Sequence, residues 1–386
     1  MALQDYRVDI DGCAKCGSCR IIFDDPSGPL GRPRCPSGAK YVFDSYYAAG
    51  RMEIARGLLD GLIEWTDRLI DRVFTCTGCR ACDICYDASM GRPHEVIMEM
   101  KREMAKRGII HPKHKKVTQS LIEVHNPFNQ PHEDKFKWLG KDVPSGGKVM
   151  YFVGCQSAYA RRRIAKATMK LLDSAGVEFS VLPEEWCCGY PLLHNGQEDD
   201  AVGIVEHNME VMEKEGIETV LCSCSGCYTV LKHEYPEILG RKLPFNLMHT
   251  SEYLARLIKD GDLKLENPVP EVVTYHDPCT LGRHNDIYDV PRELLQSIPG
   301  LKLVEMERNR DDAWCCGTGG EVSFAFPDLS NWSSLQRMEE AEETGASILA
   351  SACPGCATSF MSASSVFDKK GIKVCDINEL LEKALG

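Results

Sequence analysis

The residues of this sequence whose types and spacing suit chemistry are its cysteines, which number 20 in a chain of 386 residues. Most of them occur in groups in which two other residues separate one cysteine from the next. Thiolates at this spacing wrap around one metal ion or one iron–sulfur cluster. Because the chain is long and Met1–Asp11 lacks the apolar core of a signal peptide, we expect metal binding in a reducing cytoplasm rather than a disulfide framework.

The N-terminal third carries two triplets with this spacing: Cys13, Cys16 and Cys19, and Cys76, Cys79 and Cys82. Such a triplet binds three corners of a cubane cluster, and a remote fourth cysteine, commonly exchanged between paired motifs, completes it. On this logic Cys85 completes the first cluster and Cys35 the second. Both depart from the ferredoxin pattern, since Cys35 is far from Cys19 and no proline follows Cys85. The alternative is a pair of zinc sites with four cysteine ligands each, although the spacing is cramped for one tetrahedral zinc ion.

The cysteines of the second half occur in two copies of one pattern. Each copy has a cysteine after an apolar run, then a Trp-Cys-Cys-Gly segment, then a Cys-x-x-Cys segment. The copies comprise Cys155, Cys187, Cys188, Cys224 and Cys227, and Cys279, Cys315, Cys316, Cys353 and Cys356. Because the same three cysteine segments recur in the same order, the sequence indicates an internal duplication. Five thiolates exceed what a simple zinc or cubane site needs, so we interpret the adjacent cysteines as ligands that bridge irons in an unusual cluster.

Short β-branched runs alternate with amphipathic helices around these cysteines. The predicted strands are Lys148–Val153, Val177–Leu182, Glu218–Cys222, Val272–Tyr275, Leu301–Glu305, Ser347–Ala350 and Ile372–Cys375, and the predicted helices include Arg161–Ala175 and Val202–Glu215. This alternation predicts α/β domains with parallel sheets. Such domains bind ligands beyond the carboxyl ends of their strands, where Cys155, Cys224 and Cys279 are expected to lie.

Composition divides the chain into four parts, which are 1–125, 126–147, 148–268 and 269–386. The first part holds the triplets and helical stretches such as Met52–Arg72 and Glu95–Arg107, so we expect an α-helical domain. The second is rich in proline, glycine and charge and is predicted to be a linker. The last two are the copies of the duplicated α/β unit. The sequence therefore predicts a multidomain protein, helical first and then α/β twice.

Charge and hydropathy exclude several function classes. The net charge of −12 argues against nucleic acid as a partner. No apolar run in the sequence is long enough to cross a bilayer, so we expect a cytoplasmic protein, with docking onto a membrane partner left open. No Gly-x-Gly-x-x-Gly motif follows a predicted strand, so NAD or FAD is not expected in this chain.

The two copies resemble the CCG domain of heterodisulfide reductases and related iron–sulfur oxidoreductases. The resemblance is carried by the cysteines and by fragments such as YFVGC, YHDPC and SCSGC. A pair of cluster motifs followed by two CCG domains is also similar to the fused catalytic subunit of that family. The resemblance implies a ferredoxin-like N-terminal domain with two cubane [4Fe-4S] clusters. It also implies that each copy binds one non-cubane [4Fe-4S] cluster through its five cysteines.

The activity that the resemblance implies is that of an oxidoreductase. Electrons would enter at the N-terminal clusters and pass to the CCG clusters, which reduce a small disulfide or run in reverse from thiols. The alternative is a non-catalytic electron relay in a larger anaerobic complex of the electron-bifurcating or benzoyl-CoA reductase type. Either role implies partner subunits that donate or accept electrons, such as a flavoprotein, a hydrogenase-like adaptor or a membrane cytochrome.

Few residues outside the cysteine motifs are candidates for a function, and no catalytic residue beyond the clusters is assigned. Cys222 and Cys375 are expected to be inert, buried thiols. His276 and His194 could donate a hydrogen bond or a proton near a cluster, but a structural role is expected for both. The cations Arg161–Arg163 begin a predicted helix, where we favour a solvated or partner-binding face over an anion site.

Overall fold

The computed structural model describes residues 2–22, 32–83, 91–140 and 143–386. Cys85 therefore lies outside the described residues. The described chain consists of a helical N-terminal part and two α/β parts, each built on a four-stranded parallel sheet. Within these ranges, no helix combines the length and the apolar character needed to cross a lipid bilayer.

The N-terminal part is built from short helices and one small antiparallel pairing. The helices are Arg7–Asp11, Pro36–Tyr41, Ala48–Leu59, Ile70–Phe74, Pro93–Lys106 and Pro112–Val124, and strand β1 (Ile21–Ile22) pairs with β2 (Arg32–Pro33). Ile10, Met52, Phe74, Val96 and Met100 are fully buried in one cluster. The helices that contain these residues turn apolar side chains to this cluster, and burial of those faces holds the part together.

One predicted helix of this part is wrong in its extent. The periodicity predicts a helix over Met52–Arg72, but the helix ends at Leu59, and Gly61 has a φ of 68°. The chain is helical again only near Ile70–Phe74, after a 3-10 turn. Glycine adopts positive φ without a side-chain clash, and so allows the chain to leave the helix at this point.

The segment that the sequence predicts as a linker packs against the first α/β part in its described residues. It contains the 3-10 turns His132–Asp134 and Lys137–Leu139. Phe136 is buried in the core of the first α/β part. The Lys135 ammonium group is also buried and donates to the carboxylate of Glu185 at 2.6 Å. These side chains therefore contribute to folding rather than only joining two domains.

The two α/β parts contain the same sheet. In the first, the strand order is β4 (Phe179–Ser180), β3 (Val149–Phe152), β5 (Thr219–Cys222) and β6 (Asn246–His249). In the second, the order is β8 (Lys302–Val304), β7 (Val272–His276), β9 (Ile348–Ser351) and β10 (Lys373–Asp376). All neighbouring strands are parallel. The matching order confirms the predicted duplication and the parallel α/β architecture.

Helices flank each sheet. Those of the first part are Arg162–Ser174, Tyr190–Leu193, Glu198–Lys214, Ser225–Thr229, Tyr235–Leu239 and Thr250–Asp260. Those of the second part are Asp289–Ser297, Val322–Ala325, Pro327–Glu343, Pro354–Val366 and Ile377–Ala384. One hydrophobic core runs through both parts, and Asn378 of the second donates to the Thr168 hydroxyl of the first at 2.8 Å. The two sheets are therefore held in a fixed relation, which positions the loops at their edges.

Candidate metal centres

The loops at the carboxyl edge of the first sheet carry what we name the first cysteine set: Cys155, Cys187, Cys188, Cys224 and Cys227. The first of these follows β3, and the last two follow β5 and begin a helix. The adjacent pair precedes Gly189, whose φ of 86° turns the chain into the next helix. Because the strands are parallel, their carboxyl ends bring these loops together.

The second sheet presents the second cysteine set in the same way: Cys279, Cys315, Cys316, Cys353 and Cys356. The first follows β7, the last two begin the helix Pro354–Val366, and the adjacent pair precedes Gly317 with a φ of 89°. The hydroxyls of Ser333 and Ser334 donate to the carbonyl oxygens of the adjacent pair at 2.7 and 2.6 Å. These bonds fix the backbone from which the two thiols project.

The two cysteine sets face one cavity between the α/β parts. Nine thiols line it, from Cys155, Cys187, Cys188, Cys224, Cys227, Cys279, Cys316, Cys353 and Cys356. Cys224 of the first set and Cys353 of the second lie within hydrogen-bond distance of each other. Tyr190, Pro191 and Phe324 contribute to the rest of the wall, which is mainly apolar. Both sets therefore reach a single site.

The thiols within a set are too close to ionise independently. Cys187 Sγ lies 3.7 Å from Cys155 Sγ, beyond the about 2.05 Å of a disulfide bond, and the described cysteines are free thiols. The hydrogen bond between these two holds the pKa of Cys187 well below its ordinary value and raises that of Cys155. A cationic metal centre lets every such thiol bind as a thiolate, so this donor set fits an iron–sulfur cluster.

Glycines leave space beside the sulfur atoms. A Cβ atom built on Gly154 would lie 3.1 Å from Cys227 Sγ, and one built on Gly355 would lie 3.5 Å from Cys353 Sγ. A side chain at Gly154, whose φ is 70°, would crowd the Cys227 sulfur, whereas a Cβ atom at Gly355 would only reach van der Waals contact with Cys353. The residues around the cavity therefore fit a bulky centre bound through sulfur.

The N-terminal cysteines line two further pockets. One is lined by the first triplet together with Ala48 and Met52. The other is lined by Cys35, Cys76, Cys79 and Cys82. The fold thus brings Cys35 to the second triplet, from which it is distant in sequence. Cys85, the fourth ligand expected for the first triplet, lies outside the described residues.

The second N-terminal pocket touches the second cysteine set directly. The thiols of Cys79 and Cys315 form a hydrogen bond, which lowers the pKa of Cys79 to about 5. The Thr77 hydroxyl oxygen lies 3.6 Å from Cys315 Sγ, and Arg283 donates to the Cys79 carbonyl oxygen at 2.7 Å. Sequence reasoning missed Thr77 and Arg283; their only signal is that each lies within four residues of a motif cysteine.

Both candidate histidines lie close to these sites. His194 Nε2 is 3.2 Å from a Glu234 carboxylate oxygen, and the ring stacks on Tyr190 with centroids 3.8 Å apart. His276 accepts a hydrogen bond from Arg337 and lies beside two sulfur atoms of the second cysteine set. His194 thus contacts a residue of the cavity wall, and His276 lies next to sulfur atoms of the second cysteine set.

The other sequence candidates lie on the strands and on an open surface groove. Cys222 and Cys375 are buried on β5 and β10, and burial raises the pKa of both thiols, as in an inert core cysteine. Arg161 donates to the Thr358 hydroxyl at 3.2 Å, and Arg163 pairs with Glu379 at 3.2 Å. The arginines therefore form part of the groove wall, outside the cavity.

Comparison with known proteins identifies both α/β parts. The family model described as CCG, the cysteine-rich domain, matches residues 149–232 and 273–361. The chain is 34% identical, over 392 residues, to the D subunit of the dihydromethanophenazine:CoB–CoM heterodisulfide reductase of Methanosarcina barkeri. That similarity covers 98% of this chain and 95% of the relative.

Two further relatives have other oxidoreductase names. The B subunit of the fumarate reductase (CoM/CoB) of Methanothermobacter marburgensis is 30% identical over 99% of this chain and 74% of its own length. The EtfAB:quinone oxidoreductase of Syntrophomonas wolfei is 29% identical over 82% of this chain and 47% of its own length. With both CCG matches and a near full-length relationship to the heterodisulfide reductase chain, the protein belongs to the CCG-domain family of iron–sulfur oxidoreductases that includes the D subunit of heterodisulfide reductase.

Proposed function

We propose that this chain is the iron–sulfur oxidoreductase subunit of a heterodisulfide reductase-like complex and transfers electrons for disulfide and thiol redox chemistry. The observation that carries the proposal is the cavity at which thiols of both cysteine sets meet. Reduction of a disulfide needs two electrons and the separation of two thiolates. A cavity with one redox centre on each side can supply one electron from each centre, which gives the two electrons that the reduction needs.

In this proposal the chain holds two cubane and two non-cubane [4Fe-4S] clusters. The ferredoxin-like N-terminal domain takes the cubane pair, with Cys13, Cys16, Cys19 and Cys85 on one cluster and Cys35, Cys76, Cys79 and Cys82 on the other. The first and second cysteine sets each take one non-cubane cluster. When bound, the clusters supply one-electron redox chemistry. The contact of Cys79 with Cys315 makes the second cysteine set the point where the N-terminal domain meets the cavity.

The chain's own side chains around the cavity would orient a substrate and supply a proton. Tyr190 and Phe324 give an apolar wall that suits the carbon chain of a thiol. Glu321 also lies on the wall, and burial raises its pKa to about 8. At neutral pH this carboxyl group therefore holds a proton that it can donate to a thiolate product. His114 Nε2 lies 3.3 Å from the Glu321 carbonyl oxygen, which anchors this loop.

We expect disulfide reduction to slow as the pH rises through about 8, because the Glu321 carboxyl loses its proton there. Lys101 and Cys187 face this group: the Cys187 thiolate adds to the raised pKa, and the Lys101 ammonium opposes it. Burial lowers the pKa of Lys101 itself to about 8, so this opposition weakens over the same pH range. Glu321→Gln should reduce the rate about a hundredfold and remove this pH step. The measurement is the rate of reduction of a small disulfide by pre-reduced protein between about pH 6 and 9. Glu343→Gln, at an exposed glutamate, is the control, and an unchanged Glu321→Gln profile would exclude the role.

The first test of the proposed function is the metal content of anaerobically purified protein, which we expect to be about sixteen irons per chain. EPR spectra of the oxidised protein should then change when coenzyme M, a thiol in the names of two relatives, is added. About eight irons would mean that the two cysteine sets hold no cluster, and the proposal would fail.

The second candidate function is a non-catalytic electron relay in a larger anaerobic complex. The name of the EtfAB:quinone oxidoreductase relative, which includes no thiol or disulfide, favours it. A relay would show the same iron content but no response to coenzyme M. In either role the proposed partners are a flavoprotein, a hydrogenase-like adaptor or a membrane cytochrome.

A further inference from the structure

The two duplicated α/β parts differ at one position that lies next to the sulfur atoms. β7 ends with His276, three residues before Cys279, whereas β3 ends with Phe152, three residues before Cys155. The strand registers show that these positions are equivalent. His276 pairs with the last residue of β9, and Phe152 pairs with the last residue of β5. The second copy therefore has an imidazole where the first has a phenyl ring.

The hydrogen bond from Arg337 fixes which nitrogen of this imidazole carries the proton. Arg337 Nε donates to His276 Nδ1 at 3.2 Å. A guanidinium group has no acceptor, so Nδ1 must offer its lone pair, and the ring proton is on Nε2. The fully buried Arg337 is held in place by the Glu340 carboxylate at 2.8 Å and by the Arg308 carbonyl oxygen at 2.7 Å. The tautomer is thus imposed by the protein around the ring.

The imidazole ring of His276 lies next to two sulfur atoms of the second cysteine set. A ring nitrogen of His276 and the sulfur atoms of Cys316 and Cys356 all lie within 4.8 Å of one another. Nε2 is buried, and the described part of the chain gives it no partner at ordinary hydrogen-bond distance. The ring packs perpendicular to that of Phe360 with centroids 4.9 Å apart, which limits its rotation. The sulfur atoms of Cys316 and Cys356 are therefore the acceptors that lie within reach of this N–H.

We infer that His276 donates an N–H···S hydrogen bond to the second cysteine set, and that this bond gives the cluster bound there a higher reduction potential than the cluster on the first set. The inference rests on the proposed function, because it requires a cluster on each set. Reduction adds one electron to a cluster, and an N–H donor stabilises the added negative charge on its sulfurs. The proton stays on Nε2, so only the electron is transferred.

Backbone donors do not explain such a difference, since both copies have them. The Gly317 amide donates to Cys315 Sγ at 3.3 Å, and the Gly189 amide makes the equivalent bond to Cys187. In the first copy, Asn208 of the helix Glu198–Lys214 donates to a backbone oxygen and to the Tyr235 hydroxyl, not to sulfur. The imidazole is thus an addition specific to the second copy.

A half-buried cation adds to the effect in the same direction. Arg283 lies four residues after Cys279 and interacts with the charges of Cys279, Cys315 and Cys79. The equivalent position in the first copy, four residues after Cys155, is Tyr159, which carries no positive charge. The buried Lys135 also acts on Cys187 of the first copy, but its charge is balanced by the Glu185 carboxylate at 2.6 Å. A fixed cation next to the thiolates favours the reduced, more negative state of a cluster. The set that touches the N-terminal domain is therefore also the set built to accept an electron more readily.

Direct ligation of iron by His276 is the competing role, and the tautomer argues against it. Nε2 would have to lose its proton to bind a metal, while Nδ1 already accepts the hydrogen bond from Arg337. The ring would then carry no proton on either nitrogen. A neutral imidazole that donates from Nε2 needs no such deprotonation.

The test is an EPR-monitored redox titration of the anaerobic holoprotein. His276→Phe installs the residue of the first copy and should make one-electron reduction of one cluster about tenfold less favourable, which lowers one midpoint by about 59 mV. His276→Gln, which keeps an N–H donor, should restore most of the wild-type midpoint. Phe152→Leu in the first copy is the matched control and should shift no midpoint. Wild-type iron content with no shifted midpoint in His276→Phe would overturn the inference.

A measurement on the wild-type protein removes any dependence on how the variants fold. Pulsed EPR of reduced protein labelled with ¹⁵N-histidine should show one weakly coupled nitrogen, as expected across a hydrogen bond. A strong coupling from directly bound nitrogen, or no coupling, would overturn the donor role while leaving the proposed function intact. An iron content that accounts only for the N-terminal clusters would instead overturn both this inference and the proposed function.

Discussion

Lys135→Met is expected to lower the free energy of unfolding of the first CCG domain by about 3–5 kcal/mol and to remove iron from the first cysteine set. Lys135 and Glu185 are both almost completely buried, and the ammonium donates to the carboxylate at 2.6 Å. Without the cation, the carboxylate stays buried and unpaired. The same carboxylate accepts hydrogen bonds from the amides of Val153 and Gly154 at 3.0 and 2.9 Å, directly before Cys155.

Three measurements check this result on anaerobic holoprotein. Calorimetry should show a lower melting temperature, by about 10 °C for a domain of this size. Iron content should fall from about sixteen to about twelve per chain. Hydrogen exchange at Val153 and Gly154 should become faster because their acceptor is disturbed. Lys137→Met is the control, since Lys137 is exposed and its pair with Asp134 is at the surface. Equal melting temperatures for the two variants would contradict the prediction.

Arg292→Met is expected to destabilise the second CCG domain by a similar amount, about 3–5 kcal/mol. Arg292 donates to both carboxylate oxygens of Asp277 at 2.6 and 3.0 Å, and to Glu305 at 2.7 Å. Burial by itself raises the pKa of Asp277, but the hydrogen bonds from Arg292 hold it below its ordinary value. A lowered carboxyl pKa stabilises the fold at pH values above the ordinary pKa, so the full contribution is present at neutral pH and is lost with the arginine.

The matched control is Arg310→Met, because the Arg310 side chain forms an exposed pair with Asp289 and contributes only its backbone amide to Asp277. The free energy of unfolding of Arg310→Met should lie within about 0.5 kcal/mol of the wild-type value. Adding Asp277→Asn to Arg292→Met should restore part of the stability, since it removes the unpaired buried charge. The melting transitions of the single and double variants, followed by calorimetry, test this. A double variant less stable than Arg292→Met would refute the ion-pair explanation.

Most of the secondary structure could be predicted from local patterns. The helix predicted over Arg161–Ala175 is found as Arg162–Ser174, and every predicted strand has an observed counterpart. β6 was missed because Asn246–His249 contains no β-branched residue and is largely exposed or half-buried. The predicted extent of the helix that begins at Met52 was wrong because the apolar periodicity continues past Gly61, where the chain turns. Local propensity is weakest where one glycine or a tertiary contact decides the conformation.

The sequence by itself determined which cysteines belong together within each motif, that the α/β unit is duplicated, and that its sheets are parallel. These properties are local, since ligand spacing and the alternation of strands and helices are written in neighbouring residues. Only the tertiary structure decided that both cysteine sets share one cavity. It also decided that Cys79 meets Cys315, and that Arg337 fixes the tautomer of His276 across 61 positions. Such contacts depend on how helices and sheets pack, which one sequence read residue by residue does not specify.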